Sequence, residues 1–442
     1  MYSVYFLTFA SLFFCFVSYT DSAASFNNKN SQIPDEKWGY QTVRENAHMF
    51  WWLYGAEDKE RRLDLPLVLW LQGGPGGSGV GFGNFAELGP LDINLKPRNT
   101  TWLKKANLLF VDNPVGAGFS YVTNPSAYTR NVSQIADDLF VLLSQFMTTL
   151  PVFKTIPFYI FCESYGGKMT AYFGQKLYQA IQQGQIQVNF KGVALGDSWI
   201  SAVDSVITWA PYLYQYNLLD ERDFQQVMNI SKKTVQAVND GRYLEATHLW
   251  SVTESMIDKF TDSVNVYNVL QHHAPPFPRQ SSRRLQRLYE QHVGIYYKQS
   301  LADLMNGPIR EKLQIIPNNV KWGAQSGDVF SYQSEDFMKP VIKSVDQLIN
   351  YGLKVVVFQG QLDMICDTPG AELWIKKLTW PGLNNFLNAR RTPLYVEGKG
   401  QQTQAFLKSY ENFSLYYIMN AGHMVPTDNG EMALQMLSQI IE

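Results

Sequence analysis

Cysteine is scarce in this chain: 442 residues contain three, Cys15, Cys162 and Cys366. Cys15 lies in an N-terminal apolar stretch expected to be removed, and two cysteines cannot make a disulfide scaffold. Stability must therefore come from a large apolar core. Both remaining thiols are expected to be free. Charge of one sign is lacking too. The 37 Lys and Arg stand against 39 Asp and Glu, a net charge of −2. That balance supplies no field for nucleic acid or an anionic membrane, so a small-molecule or peptide substrate fits better. Histidine is rare, with six in all. The neighbours His272 and His273 have no nearby Cys or acidic ligands, which is poor ground for a metal site. No metal and no cofactor are expected.

Past the N-terminus no segment resembles a membrane span. Tyr2 to Tyr19 is almost wholly apolar, and Ser22-Ala23-Ala24 offers the small residues a signal peptidase needs. Residues 1–24 are therefore expected to be a secretory signal. The alternative is an N-terminal anchor of marginal length, because no Lys or Arg precedes the run. Asn99, Asn131, Asn229 and Asn412 open Asn-x-Ser/Thr sequons and are candidate glycosylation sites.

What is present is a rhythm of apolar runs that stop at glycine and polar residues. With 45% hydrophobic and 14% aromatic residues the chain is globular. Runs at Leu65–Leu71, Asn107–Val111, Phe158–Phe161, Phe190–Leu195, Lys354–Phe358 and Leu415–Met419 have the shape of strands buried on both faces. Helix-like stretches lie between them at Val132–Thr149, Lys168–Gln182, Lys339–Asn350 and Glu431–Ile441. This alternation predicts an α/β fold with a mostly parallel twisted sheet flanked by helices. From about 198 to 339 the rhythm is lost and the text turns helical and aromatic. The expected organisation is a core over 25–197 and 340–442, with a mainly helical cap inserted at 198–339. Within the cap, 272–287 is proline-rich and then basic. It is expected as an exposed loop open to proteases, with a basic binding patch as the weaker alternative.

One strand ends at Cys162-Glu163-Ser164-Tyr165-Gly166-Gly167, and a helix pattern follows at once. A serine at such an elbow holds its hydroxyl above the sheet edge, so Ser164 is the candidate nucleophile. It needs a base, and the base needs a carboxylate. Only His423 follows a core strand on a glycine loop near the C-terminus, and Asp363 follows the strand before it. The chain order Ser, Asp, His is the one used by α/β-hydrolases. The N–H groups of Tyr165 and Gly74 are the expected oxyanion donors. The loop Gly73–Gly79 could also be read as a phosphate cradle, but it lacks both the P-loop ending and the G-x-G-x-x-G spacing.

WLQGGPGGS (Trp70–Ser78), ELGP (Glu87–Pro90), FVDNPVGAGFS (Phe110–Ser120), ESYGG (Glu163–Gly167), GQLDMIC (Gly360–Cys366) and AGHMVPTD (Ala421–Asp428) resemble the signature blocks of the serine carboxypeptidases. Within that family WGYQTVRENAHMFWWLYGA, ALGDSWIS and LMNGPIREKL look like the retinoid-inducible subgroup. The resemblance implies an α/β-hydrolase fold and a triad of Ser164, Asp363 and His423. It further implies that Gly73, Glu87 and Glu163 help bind a substrate's free C-terminal carboxylate, with Met424 lining the last side chain's pocket. Two adjacent acids would share a proton, which implies an acidic working pH and a secreted or lysosomal setting. Gln72 stands where the family has Asn in this clamp, Gly77 where it has Cys, and Cys162 where the elbow usually begins with Gly. These departures leave open an esterase or acyltransferase on the same fold, or a catalytically weak binding partner. A homodimer rests on analogy alone.

Overall fold

In Leu67–Leu71 every side chain is buried. Leu67, Leu69 and Leu71 join one apolar cluster while Val68 and Trp70 join a second. A strand that buries both alternating faces must lie between two covering layers, and the rest of the sheet follows that rule. The structure is a computed structural model that describes residues 33–272, 299–398 and 400–442. The expected signal segment 1–24, with Cys15, and the loop from His273 through 287 lie outside the described residues.

The strands are β1 (Glu36–Arg44), β2 (Ala47–Tyr54), β3 (Leu67–Leu71), β4 (Asn107–Val111), β5 (Tyr121–Val122), β6 (Pro157–Glu163), β7 (Asn189–Gly196), β8 (Lys354–Gly360), β9 (Thr392–Leu394), β10 (Ala405–Tyr410) and β11 (Phe413–Ile418). They form one sheet in the order β1-β2-β4-β3-β6-β7-β8-β11-β10-β9, with β5 beside β2. All pairings from β4 across to β11 are parallel, and the two ends of the sheet are antiparallel. From β3 the chain moves outward to β4, then crosses back to place β6 on β3's other side. The loops after β3 and β6 therefore diverge and open a crevice, where open α/β sheets bind ligands.

Helix α1 (Val132–Thr149) starts where the Asn131 side chain accepts from the Gln134 amide at 3.0 Å, a cap for an otherwise orphaned donor. Its buried residues Val132, Ile135, Ala136, Leu139, Leu142, Leu143 and Phe146 recur at helical spacing. With α2 (Gly166–Gln182) and the helix Ile342–Asn350 it covers one face of the sheet. The helical segment Gly79–Leu88 and the C-terminal helix Gly430–Ile441 cover the other. Between β7 and β8, α3 (Ala202–Val206), α4 (Trp209–Gln215), α5 (Glu221–Asn239) and α6 (Tyr243–Phe260) occur. Among the described residues no strand from this stretch joins the sheet.

The six strand runs read from the sequence are all in the sheet. The N-terminal hairpin β1–β2 and the edge strands β9 and β10 were not anticipated. The helix expected from Lys339 begins at Ile342, because Pro340 disfavours helical backbone at the residue before it.

Phe161 is fully buried and meets the Trp102 ring edge-on at 5.2 Å. Phe161→Ala should lose about 3–5 kcal/mol of stability, read as a lower urea midpoint. Leu63→Ala, at an exposed position, should change it by about 0.5 kcal/mol or less.

Candidate active site

Strand β6 delivers Ser164 to the crevice with φ of 61°, a left-handed backbone that a non-glycine residue adopts only under constraint. Four backbone bonds hold it. The Ser164 amide donates to Gly196 O at 3.0 Å and Asp197 O at 3.1 Å, and the Ser164 carbonyl accepts from Gly167 at 2.9 Å and Trp199 at 2.8 Å. The end of β7 thus fixes the elbow. Gly73 must lack a side chain, since a Cβ there would stand 2.4 Å from Ser164 Cβ.

His423 and Asp363 come together at the ends of β11 and β8. His423 Nδ1 lies 2.8 Å from Asp363 Oδ2, and the Cys366 amide donates to Asp363 Oδ1 at 3.3 Å. Both side chains are buried. The His423 amide donates to Tyr267 O at 2.7 Å, and the Tyr267 ring meets the imidazole edge-on at 4.8 Å. With Nδ1 committed to Asp363, Nε2 is left for the reacting proton. Ser164 and His423 line one pocket together with Gln72, Gly73, Gly74, Gly77, Phe82, Glu163, Tyr267 and Met424. No hydrogen bond joins the Ser164 hydroxyl to the imidazole among the described residues; such bonds commonly tighten only around substrate.

Among the described residues the Gly74 and Tyr165 amides make no backbone hydrogen bond. Gly74 has φ of +114°, which only glycine tolerates cheaply, and Tyr165 is the first cap of α2, at the positive end of that helix. The Tyr165 hydroxyl donates to Asp336 Oδ2 at 3.0 Å, and the fully buried Lys168 Nζ lies 3.1 Å from the same oxygen. Burial pushes Lys168 down to about 8. This pair pins the first turn of α2 to the segment after Gln333.

Gln72, Glu87 and Glu163 form a buried cluster beside the nucleophile. Trp70 Nε1 donates to Gln72 Oε1 at 2.7 Å, which turns the Gln72 nitrogen toward Glu87 Oε1 at 3.0 Å and Glu163 Oε1 at 2.8 Å. The two carboxyls are also in hydrogen-bond contact with each other. Burial raises both above the carboxylate range, and the charge on Glu87 raises Glu163 further. One proton between the two acids satisfies this geometry.

The sequence did not point to three further acids. Asp112 accepts from Ser78 Oγ at 2.5 Å, Val80 N at 3.1 Å and Phe119 N at 2.8 Å, tying the glycine loop to the end of β4. Burial pushes it up to about 7. Asp197 receives the Gly360 amide at 2.7 Å, and Asp367 receives the Thr208 hydroxyl at 2.9 Å. Asp197 was visible only as the polar residue that ends a strand. Cys162 and Cys366 are free and buried, as expected. Burial pushes the Cys162 thiol up to about 11 and Cys366 well above its usual value, so neither is a thiolate nucleophile. Cys366 lies close to Asp363 and His423.

Of the sequon asparagines, Asn99 and Asn229 are exposed and Asn131 caps α1. Asn412 directs its amide hydrogens at Ile349 O (2.9 Å) and Leu353 O (2.7 Å), so a sugar on that nitrogen would cost one of the two bonds. Among the described residues no helix is long and apolar enough to cross a membrane.

The family model "Serine carboxypeptidase" (Peptidase_S10) matches residues 28–442. The retinoid-inducible serine carboxypeptidase of Rattus norvegicus is 53% identical over 427 residues, covering 95% of this chain and 94% of its own length. Serine carboxypeptidase-like 51 of Arabidopsis thaliana is 41% identical over 444 residues, covering 96% of each. Among solved structures, the prohormone-processing carboxypeptidase Kex1Δp of Saccharomyces cerevisiae superposes with a TM-score of 0.80 over 92% of this chain and 91% of that one. At 21% identity this is a likeness of fold.

Glu87, Asp112, Glu163, Asp197 and Asp367 are all raised by burial. An acid whose pKa is higher folded than unfolded adds stability that is full below its unfolded value and lost as pH rises through the folded one. For Asp112 that window runs from 3.8 to about 7. The melting temperature should therefore fall between about pH 4 and about pH 7 in a thermal scan, and a rise over that range would contradict these protonation states.

Proposed function

Because the chain belongs to the serine carboxypeptidase family, we propose that its activity runs through an acyl-enzyme on Ser164 and is selective for a free C-terminal carboxylate at acidic pH. The observation that carries this is the proton-sharing pair Glu87 and Glu163, bridged by Gln72 next to the nucleophile. A neutral acid in such a pair donates to a substrate carboxylate, whereas two ionised acids would repel it.

Substrate enters with its terminal carboxylate against Gln72, the Gly73 backbone, Glu87 and Glu163, and with its last side chain against Met424. His423 Nε2 takes the Ser164 proton as Oγ bonds to the peptide carbonyl carbon. The resulting oxyanion is met by the Gly74 and Tyr165 N–H groups, and Asp363 stabilises the imidazolium. The C–N bond then breaks as His423 returns the proton to the leaving amine. A water gives its proton to His423, attacks the acyl carbon and releases Ser164 with its proton restored. The methylene that distinguishes Gln72 from Asn does not leave the clamp loose, since Trp70 holds its Oε1. Acidic operation, the candidate leader 1–24 and the exposed sequons Asn99 and Asn229 support a glycoprotein of the secretory pathway, secreted or lysosomal.

The test compares an N-blocked dipeptide carrying a free carboxylate with its amidated twin. The free acid should be cleaved at least about tenfold faster at acidic pH, the difference tracking loss of one charge-assisted contact. Ser164→Ala should abolish both cleavage and fluorophosphonate labelling. Equal cleavage of acid and amide would leave a working triad without carboxylate recognition, as in an esterase or acyltransferase. No labelling of folded wild type would overturn the nucleophile assignment.

A further inference from the structure

Behind the proposed triad lies an acid that the reaction does not use. Asp197 follows β7, is fully buried, and has φ of 39°. Its Oδ1 accepts the Gly360 amide at 2.7 Å, and Gly360 O accepts the Asp363 amide at 3.3 Å. The side chain thus sits against the turn that carries Asp363. Its Oδ2 is buried and receives no donor among the described residues, yet the carboxyl is in hydrogen-bond contact with that of Asp363. Two acceptors cannot satisfy each other, and two adjacent negative charges shielded from water repel. One of the carboxyls must supply a hydrogen. Asp363 already has His423 and the Cys366 amide to stabilise its charge, so the hydrogen belongs on Asp197.

From this geometry we propose that Asp197 is a positioning residue that works as a neutral carboxylic acid, donating Oδ2–H to Asp363 and holding that carboxylate in the rotation that meets His423 Nδ1. The inference rests on the triad assignment above. The groups that face Asp197 agree with it: Asp363 across the contact, with Asp428, Glu163 and the neutral Cys366 thiol nearby. Burial, followed by the charge on Asp363, holds Asp197 well above the carboxylate range.

The amide in Asp197→Asn reproduces a neutral acid's bonding, with an oxygen for Gly360 N and an N–H for Asp363. This variant should fold, keep kcat within about threefold of wild type, and leave the acid limb of the kcat/KM profile in place. Asp197→Ala supplies no donor to Asp363 and should lose on the order of tenfold or more in kcat. Infrared difference spectra of Asp197→Asn against wild type, at the activity optimum, should show loss of a neutral-acid carbonyl band.

Three results would overturn the proposal: an acid limb shifted to lower pH in Asp197→Asn, loss of a carboxylate band in its place, or failure of Asp197→Asn to fold. A folded Asp197→Ala with the wild-type rate would do so as well. Should Ser164→Ala remain active, the triad assignment would fail on its own, and the infrared result would still decide the protonation of Asp197.

Discussion

Ser164 is held in a left-handed backbone, a conformation that costs about 1–3 kcal/mol for a residue with a side chain. The carboxyl edge of the sheet is arranged around keeping it there. The last carbonyls of β7 take its amide, the following helical turn and Trp199 take its carbonyl, and the glycine loop after β3 can approach only because Gly73 has no Cβ. Those contacts come from three strands that are distant in sequence and adjacent in the sheet. The strain at the elbow is therefore offset by the sheet order itself. A change in the pairing of β3, β6 and β7 would release the serine from these contacts.

Around that elbow the structure gathers carboxyl groups where water does not reach them. Glu163 at the end of β6 pairs with Glu87 of the Gly79–Leu88 segment, Asp197 after β7 pairs with Asp363 after β8, and both pairs need a proton to be tolerable. They differ in what they face. Glu163 of the first pair lines the pocket, where on the proposed reading a shared proton can be offered to a ligand. The second is sealed behind the imidazole, where its proton can only orient a neighbour. On the proposed reading one physical device, the neutral buried acid, serves recognition in one place and alignment in the other.

Much of this was legible in the sequence because it depends on residue type at fixed local spacing. The continuous apolar runs of β3 and β8, the elbow after Cys162, and the glycine loop before His423 each carry their geometry in adjacent residues. Other parts did not. Strands β1 and β2 pair with each other on the outer side of β4, and β1 is largely half-exposed; its mixed polar and aromatic text resembles no buried run. Asp197 and Asp112 were passed over because an aspartate after a strand is most often a turn former. Their significance lies in what meets them from 163 residues away for Gly360 and Asp197, or across the sheet for Ser78 and Asp112. Gln72 looked like a weakened clamp until the Trp70 indole was seen to fix its oxygen.

The segment Val264–His272 belongs to the stretch between β7 and β8, yet its carbonyls bind both halves of the charge relay's support. Tyr267 O takes the His423 amide and Val266 O takes the amides of Met364 and Ile365, while Leu362 O takes the Val269 amide. His423 and Asp363 are thus aligned by a backbone that neither strand supplies. Such contacts join segments far apart in the sequence, and closing them carries the larger loop entropy. The nucleophile's elbow can form when the first half of the sheet has assembled, but its partner is oriented only after this strap has docked. The Ser164 elbow is thus complete within residues 73–199, whereas the His423 imidazole is held by a segment that follows them in the chain.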